Sequence, residues 1–242
     1  MKPTLDATHT PTEGKLRIAE IFSSIQGEGI WAGTPSTFVR VSGCNLRCRW
    51  CDTPYASWYP EGGQWTVDDI VAEVSKHGVS HVVLTGGEPM LFDPVEELAR
   101  RLKTLGHTIT LESAGTVFRD LPCDLMSLSP KLANSTPDGT WHDRHETTRK
   151  CLGPLVNLIE HYNVQLKFVV NPDRGLQDLD EIDALLAKLP PVPAERTLLM
   201  AEGTDSETLH RRERLLAPVL LHRGWRLSPR LHIDLFGNQR GT

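Results

Sequence analysis

The chain has 242 residues, of which 39% are hydrophobic and 24% are charged, and its formal net charge is -5 at pH 7. This composition is ordinary for a globular protein, and the length suits one large domain or two small ones. The mildly acidic balance offers no basic surplus for wrapping nucleic acid. No apolar run approaches the roughly 18 residues that a membrane-spanning helix needs. We therefore expect no nucleic acid and no membrane among the partners of this protein.

Residues 1–15 are polar and contain two prolines, and they lack the apolar core of a signal peptide. They predict a flexible N-terminal extension on a single domain of residues 16–242, in a cytoplasmic protein. The five cysteines are an odd number with three of them clustered, which is not the pattern of a secreted disulfide framework. Cys123 and Cys151 stand alone, and we interpret each as a small buried hydrophobic residue.

Strands alternate with helices along the rest of the chain. Residues 16–24 are extended, and a glycine-rich stretch over 25–36 follows them. β-Branched and apolar runs predict six further strands over 37–42, 81–84, 107–111, 123–128, 164–170 and 196–200. Helical spacing and caps predict helices over 66–78 (with a capping box from Thr66 to Asp69), 93–106, 150–162, 176–189, and from a cap at Thr204 or Ser206 to about residue 222. A final extended piece covers 226–234.

This alternation implies right-handed crossovers and a parallel α/β sheet. Polar and glycine-rich signals follow one strand after another, and parallel α/β folds place their sites at the carboxyl ends of the strands. The connection 51–66 is rich in proline and glycine and has little helical pattern, so we expect a short, abbreviated first crossover. The polar segment 132–145 is a candidate loop or lid to which the sequence assigns no role.

The most informative stretch is 43–53, which holds Cys44, Cys48 and Cys51 in a C-x3-C-x2-C spacing. Iron–sulfur clusters and zinc both take thiolate ligands. A structural zinc site needs four protein ligands, whereas a four-iron cluster held by three cysteines leaves one iron free to bind a small molecule. A disulfide, or a zinc knuckle with a remote fourth ligand, is the alternative on spacing alone.

The cysteine spacing resembles that of the radical S-adenosylmethionine (SAM) superfamily, and the flanking Trp50, Asp52 and Thr53 strengthen the resemblance. It implies a partial, open parallel (β/α)6 barrel. It also implies a [4Fe–4S] cluster on Cys44, Cys48 and Cys51 that chelates SAM and cleaves it to a 5′-deoxyadenosyl radical.

A second resemblance to the superfamily follows the strand 81–84, in the sequence Thr-Gly-Gly-Glu-Pro over 85–89. It implies that Gly86, Gly87 and Glu88 hold the amino group of SAM. Further SAM-binding candidates are Trp50, Cys51, Asp52, Glu112, Ser113, Ser129, Pro130 and Lys131. Without the resemblance, the segment 85–89 would be an ordinary strand-to-helix turn. The other candidates would be no more than a helix cap and, in the case of Lys131, a solvated lysine.

A more specific resemblance precedes the cysteines. Ser-Ile-Gln-Gly-Glu-Gly over 24–29, then Phe-Val-Arg over 38–40, is similar to the 7-carboxy-7-deazaguanine synthase family. The likeness continues through Ser-Pro-Lys over 129–131 and Leu-His over 231–232. It implies a radical SAM lyase that converts 6-carboxy-5,6,7,8-tetrahydropterin to 7-carboxy-7-deazaguanine with loss of ammonia, a step toward queuosine.

The resemblance also implies a set of substrate contacts. The backbone of residues 25–27 would hydrogen-bond to the edge of a flat heterocycle, and Glu28 would accept from its amino and ring N–H groups. Arg40 would form a bidentate pair with its carboxylate. The full set of substrate candidates is Ile25, Gln26, Gly27, Glu28, Arg40, Thr85, His232 and Thr242. For the last two, a surface histidine and a frayed tail are the alternatives.

Further cofactors and partners are implied in the same way. Thr53 would be the protein ligand of a magnesium ion completed by SAM, substrate and water. A low-potential cluster suggests a flavodoxin as the electron donor, and the family suggests a homodimer. Ala114 departs from the pattern, since an asparagine is expected near it.

Two other functions fit part of this pattern. A glycyl-radical activase would share the cysteines and the segment 85–89, but it gives no reason for the Gln-Gly-Glu-Gly segment. A non-catalytic module that binds zinc or a cluster would share only the cysteines.

Overall fold

The computed structural model describes residues 14–175 and 177–242. One mixed sheet of nine strands runs through the described part of the chain. The strands are β1 (Lys15–Ile25), β2 (Pro35–Val41), β3 (Gly63–Thr66), β4 (His81–Gly86), β5 (Thr108–Ser113), β6 (Leu125–Leu128), β7 (Val164–Val170), β8 (Thr197–Ala201) and β9 (Arg226–Leu227). Residues 1–13 of the predicted N-terminal extension lie outside the described residues, and Lys15, also assigned to it, is the first residue of β1.

The order of strands is β3-β1-β2-β4-β5-β6-β7-β8-β9. From β2 to β9 every neighbouring pair is parallel, whereas β1 pairs antiparallel with both β2 and β3. The sheet ends at β3 and β9 and is therefore open, which confirms the partial barrel. The six strands predicted after the glycine-rich stretch are β2 and β4 to β8, in the predicted order.

Eight α-helices lie in the described residues. They are α1 (Pro54–Ser57), α2 (Val67–Lys76), α3 (Pro94–Thr104), α4 (His142–Arg149), α5 (Gly153–His161), α6 (Gln177–Leu186), α7 (Ser206–Arg223) and α8 (Leu231–Phe236). None of them is long and apolar enough to cross a bilayer. The first residue of the predicted helix 176–189 is outside the described part.

Local sequence explains most of these elements. Thr66 and Asp69 form the predicted reciprocal capping box at the start of α2, and its apolar stripe of Ile70, Val71 and Val74 is buried against the sheet. The cap of α7 was wrongly predicted: the side chain of Asp205 accepts from the N–H of Thr208 at 2.8 Å.

Two other segments differ from the prediction. Residues 231–236 form α8 rather than an extended piece, since burial of Ile233 gives this short helix a packed face. The candidate loop 132–145 contains 3-10 turns and the start of α4. The predicted abbreviated first crossover is confirmed, since residues 51–66 contain only the four-residue α1 and the short strand β3 before α2 begins.

Candidate active site

A cavity of about 360 Å³ opens at the carboxyl ends of the parallel strands. It gathers nearly all of the residues that the sequence marked as functional. The predicted residues that line it are Ile25, Gln26, Gly27, Glu28, Arg40, Cys44, Cys48, Trp50, Cys51, Asp52, Thr53, Thr85, Gly86, Gly87, Glu112, Ser113, Ser129, Lys131, His232 and Thr242. Glu88 and Pro130 are buried behind this lining.

Cys44, Cys48 and Cys51 lie on one wall of the cavity, and all five cysteines of the chain are free thiols. The two cysteines outside this wall differ from each other. Cys123 is partly buried and packs against the core, as expected for a small hydrophobic residue. Cys151 is exposed, so its predicted burial is wrong.

The arrangement of the three thiols distinguishes between the metal groups that could bind there. Among the described residues, no three His, Cys, Asp or Glu side chains converge on the position of a single metal ion. A single zinc ion needs such convergence. A [4Fe–4S] cluster does not, because each cysteine binds a different iron atom and the thiols need only face a common space. The donor set therefore fits a cluster better than one zinc ion.

Burial raises the pKa of the Cys44 thiol to about 11 and that of the Cys48 thiol to about 12. The positive charge of Lys131 opposes both shifts without cancelling them. Metal groups bind the thiolate form, so cluster binding must release protons from these two residues.

The glycines that follow β4 allow two backbone segments to touch. Gly86 has φ +134°, and a Cβ atom there would lie 2.0 Å from the carbonyl oxygen of Val41. A Cβ on Gly87 would lie 2.1 Å from the carbonyl oxygen of Gly43. The N–H of Glu88 donates to that same Gly43 oxygen at 2.8 Å. This pair of glycines therefore fixes the end of β4 against the residue that precedes Cys44.

Glu88 is fully buried, and its carboxylate organises the neighbouring strand end. It accepts from the hydroxyl of Ser113 at 2.9 Å and 3.0 Å, from the N–H of Ala114 at 2.8 Å and from the N–H of Met90 at 3.2 Å. Burial raises its pKa against the effect of these donors. In this structure Glu88 thus holds β4 and β5 together behind the cavity wall.

A buried ion-pair network centres on Glu28. Its carboxylate pairs with Lys167 and accepts from Nε of Arg230 at 3.2 Å. Arg230 also pairs with Asp52 and donates to the carbonyl of Gly203. Burial alone would raise the pKa of Glu28, but the charges of Lys167 and Arg230 outweigh it and lower this pKa well below its ordinary value. The network joins the Gln-Gly-Glu-Gly segment to the cysteine loop.

Beside this network, Glu112 connects two predicted substrate residues. The hydroxyl of Thr85 donates to Glu112 Oε2 at 2.7 Å, and Nε2 of Gln26 donates to Oε1 at 3.3 Å. Gln26 in turn accepts from the N–H of Glu28 at 3.1 Å. Glu112 is thus a polar acceptor facing the cavity from the end of β5.

Arg40 lies near the end of β2, paired in register with Thr85 of β4. Its Nε donates to Glu20 at 2.6 Å, a contact that leaves the two terminal nitrogens of the guanidinium group unused by Glu20. Tyr55 donates to the same carboxylate at 2.8 Å, and Arg240 lies 3.4 Å from it. The guanidinium group of Arg40 also lies 5.8 Å from the centre of the Phe22 ring.

The C-terminal residues close one end of the cavity. His232 in α8 packs so tightly on Gly27 that a Cβ atom there would lie 2.0 Å from its Nδ1. Burial lowers the pKa of His232. Residues 238–242 line the cavity, and the Arg240 guanidinium stacks on Tyr55 at 4.0 Å.

The segment after β6 faces the cysteines. Nζ of Lys131 donates to the hydroxyl of Ser129 at 2.8 Å and to its carbonyl at 2.9 Å. The same ammonium group lies 5.7 Å from the centre of the Trp50 ring. A positive charge is therefore held next to the thiols.

Sequence reasoning missed several polar residues that line the cavity, and the charged or hydrogen-bonded ones among them include Glu20, Tyr55, Lys167 and Arg230. Lys167 carried a signal, because it is the charged residue in the apolar strand VQLKFVV. Arg230 stands two residues before His232 and could have been noticed there. Glu20 and Tyr55 carried no sequence signal, since Glu20 meets Arg40 only through the pairing of β1 with β2 and Tyr55 reaches Glu20 from α1.

The model of the radical SAM superfamily matches residues 38–152. The open parallel sheet and the three thiols on one cavity agree with that match, so the protein is a radical SAM enzyme, a class that binds a [4Fe–4S] cluster and SAM.

Relatives with assigned names show which family within this superfamily the chain belongs to. The chain is 45% identical over 241 residues to the 7-carboxy-7-deazaguanine synthase of Halobacterium salinarum, with 94% of this chain and 93% of that protein covered. It is 44% identical over 236 residues to the synthase of Rhodopirellula baltica, with 96% and 90% covered. The crystal structure of QueE from Escherichia coli superposes with a TM-score of 0.68 at 27% identity, over 88% of this chain and 93% of that chain. The chain belongs to the 7-carboxy-7-deazaguanine synthase family.

Proposed function

We propose that the protein converts 6-carboxy-5,6,7,8-tetrahydropterin to 7-carboxy-7-deazaguanine, with loss of ammonia. The observation that carries this proposal is one cavity shared by three free thiols and by Gln26, Glu28 and Arg40. Its volume of about 360 Å³ suits small molecules rather than a protein substrate. The names of the relatives point to the same product.

The cysteine wall is the proposed cofactor end. Cys44, Cys48 and Cys51 would hold the [4Fe–4S] cluster, which with SAM supplies the radical that removes a hydrogen atom from the substrate. Around it, the proposed SAM contacts are Trp50, Asp52, Gly86, Gly87, Glu88, Glu112, Ser113, Ser129, Pro130 and Lys131. Glu88 would act mainly by fixing Ser113 and Ala114, because its carboxylate is buried behind the lining.

The Glu28 network is the proposed substrate end. The ionised carboxylate of Glu28 would accept from the amino and ring N–H groups of the pterin. The backbone of 25–27 and the hydroxyl of Thr85 would contact the ring edge. Arg40 would bind the substrate carboxylate through its terminal nitrogens, because Glu20 already holds Nε. His232 and Thr242, which line the same end, complete the proposed contacts.

Further parts of the proposal rest on the family resemblance. A magnesium ion would bind the hydroxyl of Thr53, which faces the cavity and lies 3.8 Å from the sulfur of Cys51. A flavodoxin as electron donor and a homodimeric assembly are part of the same proposal. A cytoplasmic location suits five free cysteines, because reducing compartments keep thiols unpaired.

Replacing Arg40 with alanine is expected to raise KM for the carboxypterin roughly 10-fold to 150-fold, since hydrogen bonds to charged groups contribute about 1.5–3 kcal/mol. Reductive cleavage of SAM without substrate should continue at a near-normal rate. Glu20 keeps Tyr55 and Arg240 as partners, so the variant should fold. Steady-state kinetics and assay of 5′-deoxyadenosine measure the two effects separately.

Arg40→Lys is the matched control, because it keeps the charge and loses the planar fork. It should give an intermediate KM. If Arg40→Ala lowered SAM cleavage as much as substrate turnover, Arg40 would be structural and the assignment of the substrate end would be wrong.

A further inference from the structure

The segment 132–149 includes residues 132–145, to which the sequence assigned no role, and it contacts the cysteine loop at three places. The N–H of Arg47 donates to Nδ1 of His145 at 3.1 Å, and the N–H of Arg49 donates to the carbonyl of Ser135 at 2.9 Å. The indole N–H of Trp50 donates to Asn134 at 3.2 Å. The loop residues that make these contacts lie between Cys44 and Cys48 and between Cys48 and Cys51 in the sequence.

His145 is the centre of this contact. Its side chain is 1% exposed, and both ring nitrogens have partners. Because Nδ1 accepts from Arg47, the proton lies on Nε2, which donates to the hydroxyl of Ser135 at 2.9 Å. That hydroxyl donates onward to the carbonyl of Leu132 at 2.6 Å. Burial lowers the pKa of His145 to about 4, so the ring stays neutral and keeps its acceptor near neutral pH.

The segment is itself tied to the sheet and to α6. The amide nitrogen of Asn134 donates to the carbonyl of Val169 in β7 at 2.9 Å and to Asp178 at 2.9 Å. Arg149 donates to Glu181 at 2.7 Å from a nearly buried position. A chain of fixed partners therefore runs from α6 and β7 through the segment to the cysteine loop.

We infer that residues 132–149 are a positioning element for the cluster, and that His145 is its key positioning residue. By accepting the N–H of Arg47, His145 fixes the backbone between Cys44 and Cys48, so that both thiols face the cavity before the cluster binds. The inference rests on the proposed cluster site. His145 does not touch the cluster ligands and acts only through the loop.

Two physical effects support this role. A buried N–H without an acceptor is costly, so the loop would change conformation if His145 were lost. Partners that orient metal ligands commonly change metal affinity 10-fold to 100-fold when they are removed. We therefore expect His145→Leu to release iron about 10 to 100 times faster than the wild-type chain when a chelator is added to the reconstituted, anaerobic protein.

Two substitutions separate positioning from simple packing. His145→Asn places an oxygen acceptor where Nδ1 was, whereas His145→Gln places its acceptor one bond further away. His145→Asn should retain iron nearly as well as wild type, and His145→Gln should lose it nearly as fast as His145→Leu. His142→Leu is the matched control, since His142 lies in the same helix with 54% of its side chain exposed. The cluster signal in electron paramagnetic resonance should broaden or shift only in the Leu and Gln variants of His145.

The outcomes are distinct. Iron release at the wild-type rate from His145→Leu would overturn the inference, as would equal iron loss from His145→Asn and His145→Gln. If His145→Leu does not fold, the comparison of the Asn and Gln variants decides alone. A wild-type chain that takes up no cluster would instead overturn the proposed function, and the role of His145 with it.

Discussion

Replacing Cys48 with alanine is expected to abolish loading of the cluster and, with it, reductive cleavage of SAM. Cys48 is one of the three proposed cysteine ligands, and the remaining two cysteines of the chain, Cys123 and Cys151, do not line the cavity. Losing a direct ligand should lower SAM cleavage by more than about 100-fold, beyond the 10-fold to 100-fold typical of outer partners. Iron and sulfide per chain and the yield of 5′-deoxyadenosine measure this.

Cys151→Ala is the matched control for that experiment, because Cys151 is exposed and does not line the cavity. It should load iron and cleave SAM as the wild type does. Retained SAM cleavage by Cys48→Ala would refute the cluster assignment. Loss of iron from both variants alike would mean that reconstitution, rather than the ligand set, limits loading.

The second large effect is expected from Glu28→Gln, which removes the negative charge at the centre of the buried network. Lys167 would lose its charged partner, whereas Arg230 would keep Asp52. Breaking a buried ion pair from one side costs about 3–5 kcal/mol of stability. The glutamine oxygen can still accept from Lys167, so we expect about 3 kcal/mol and a melting temperature lower by about 6–12 °C. Substrate turnover should fall as well, since Glu28 is the proposed acceptor for the pterin N–H groups.

A double substitution tests whether the unpaired charge of Lys167 causes the loss of stability. Adding Lys167→Met removes the unpaired charge and should restore part of the free energy of unfolding. Glu160→Gln, at an exposed position of α5, is the control and should be neutral. If Glu28→Gln were as stable as wild type, the network would not be a stabilising feature of the fold.

The pH dependence of this effect has a definite sign. The pKa of Glu28 is lowered in the folded protein from an ordinary value of 4.5. A lowered pKa adds stability that is fully present above 4.5 and is lost as the pH falls toward the folded value. The difference in unfolding free energy between wild type and Glu28→Gln should therefore shrink between about pH 5 and about pH 3. Urea unfolding at a series of pH values measures it.

The parallel strands were predictable because their signals are local. A strand such as 81–84 is a short apolar run followed by two glycines, and β4 ends at that point. The capping box of α2 is equally local, and it formed as predicted. By contrast, α8 was wrongly predicted because six residues carry little helical periodicity, and the helix depends on burial of Ile233.

The residues of the candidate site also form two groups, those that local sequence motifs predict and those that only the fold brings together. Motif residues such as Cys48 and Gly87 could be found because their types and spacing carry the chemistry. Lys167 and Arg230 could not be paired with Glu28 from sequence, since they lie 139 and 202 positions away from it. The buried position of Glu88 also depends on the tertiary contact of β4 with β5. His145 looked like one polar residue of a loop until the fold placed it against Arg47.

The most direct test of the account is a product assay on the anaerobic, reconstituted chain with SAM, magnesium, a strong reductant and 6-carboxytetrahydropterin. Mass spectrometry should detect 7-carboxy-7-deazaguanine, together with 5′-deoxyadenosine. Formation of 5′-deoxyadenosine without the deazapurine would keep the radical SAM chemistry and contradict the proposed substrate. If neither compound formed on a chain with a verified intact cluster, the proposed function as a whole would be wrong.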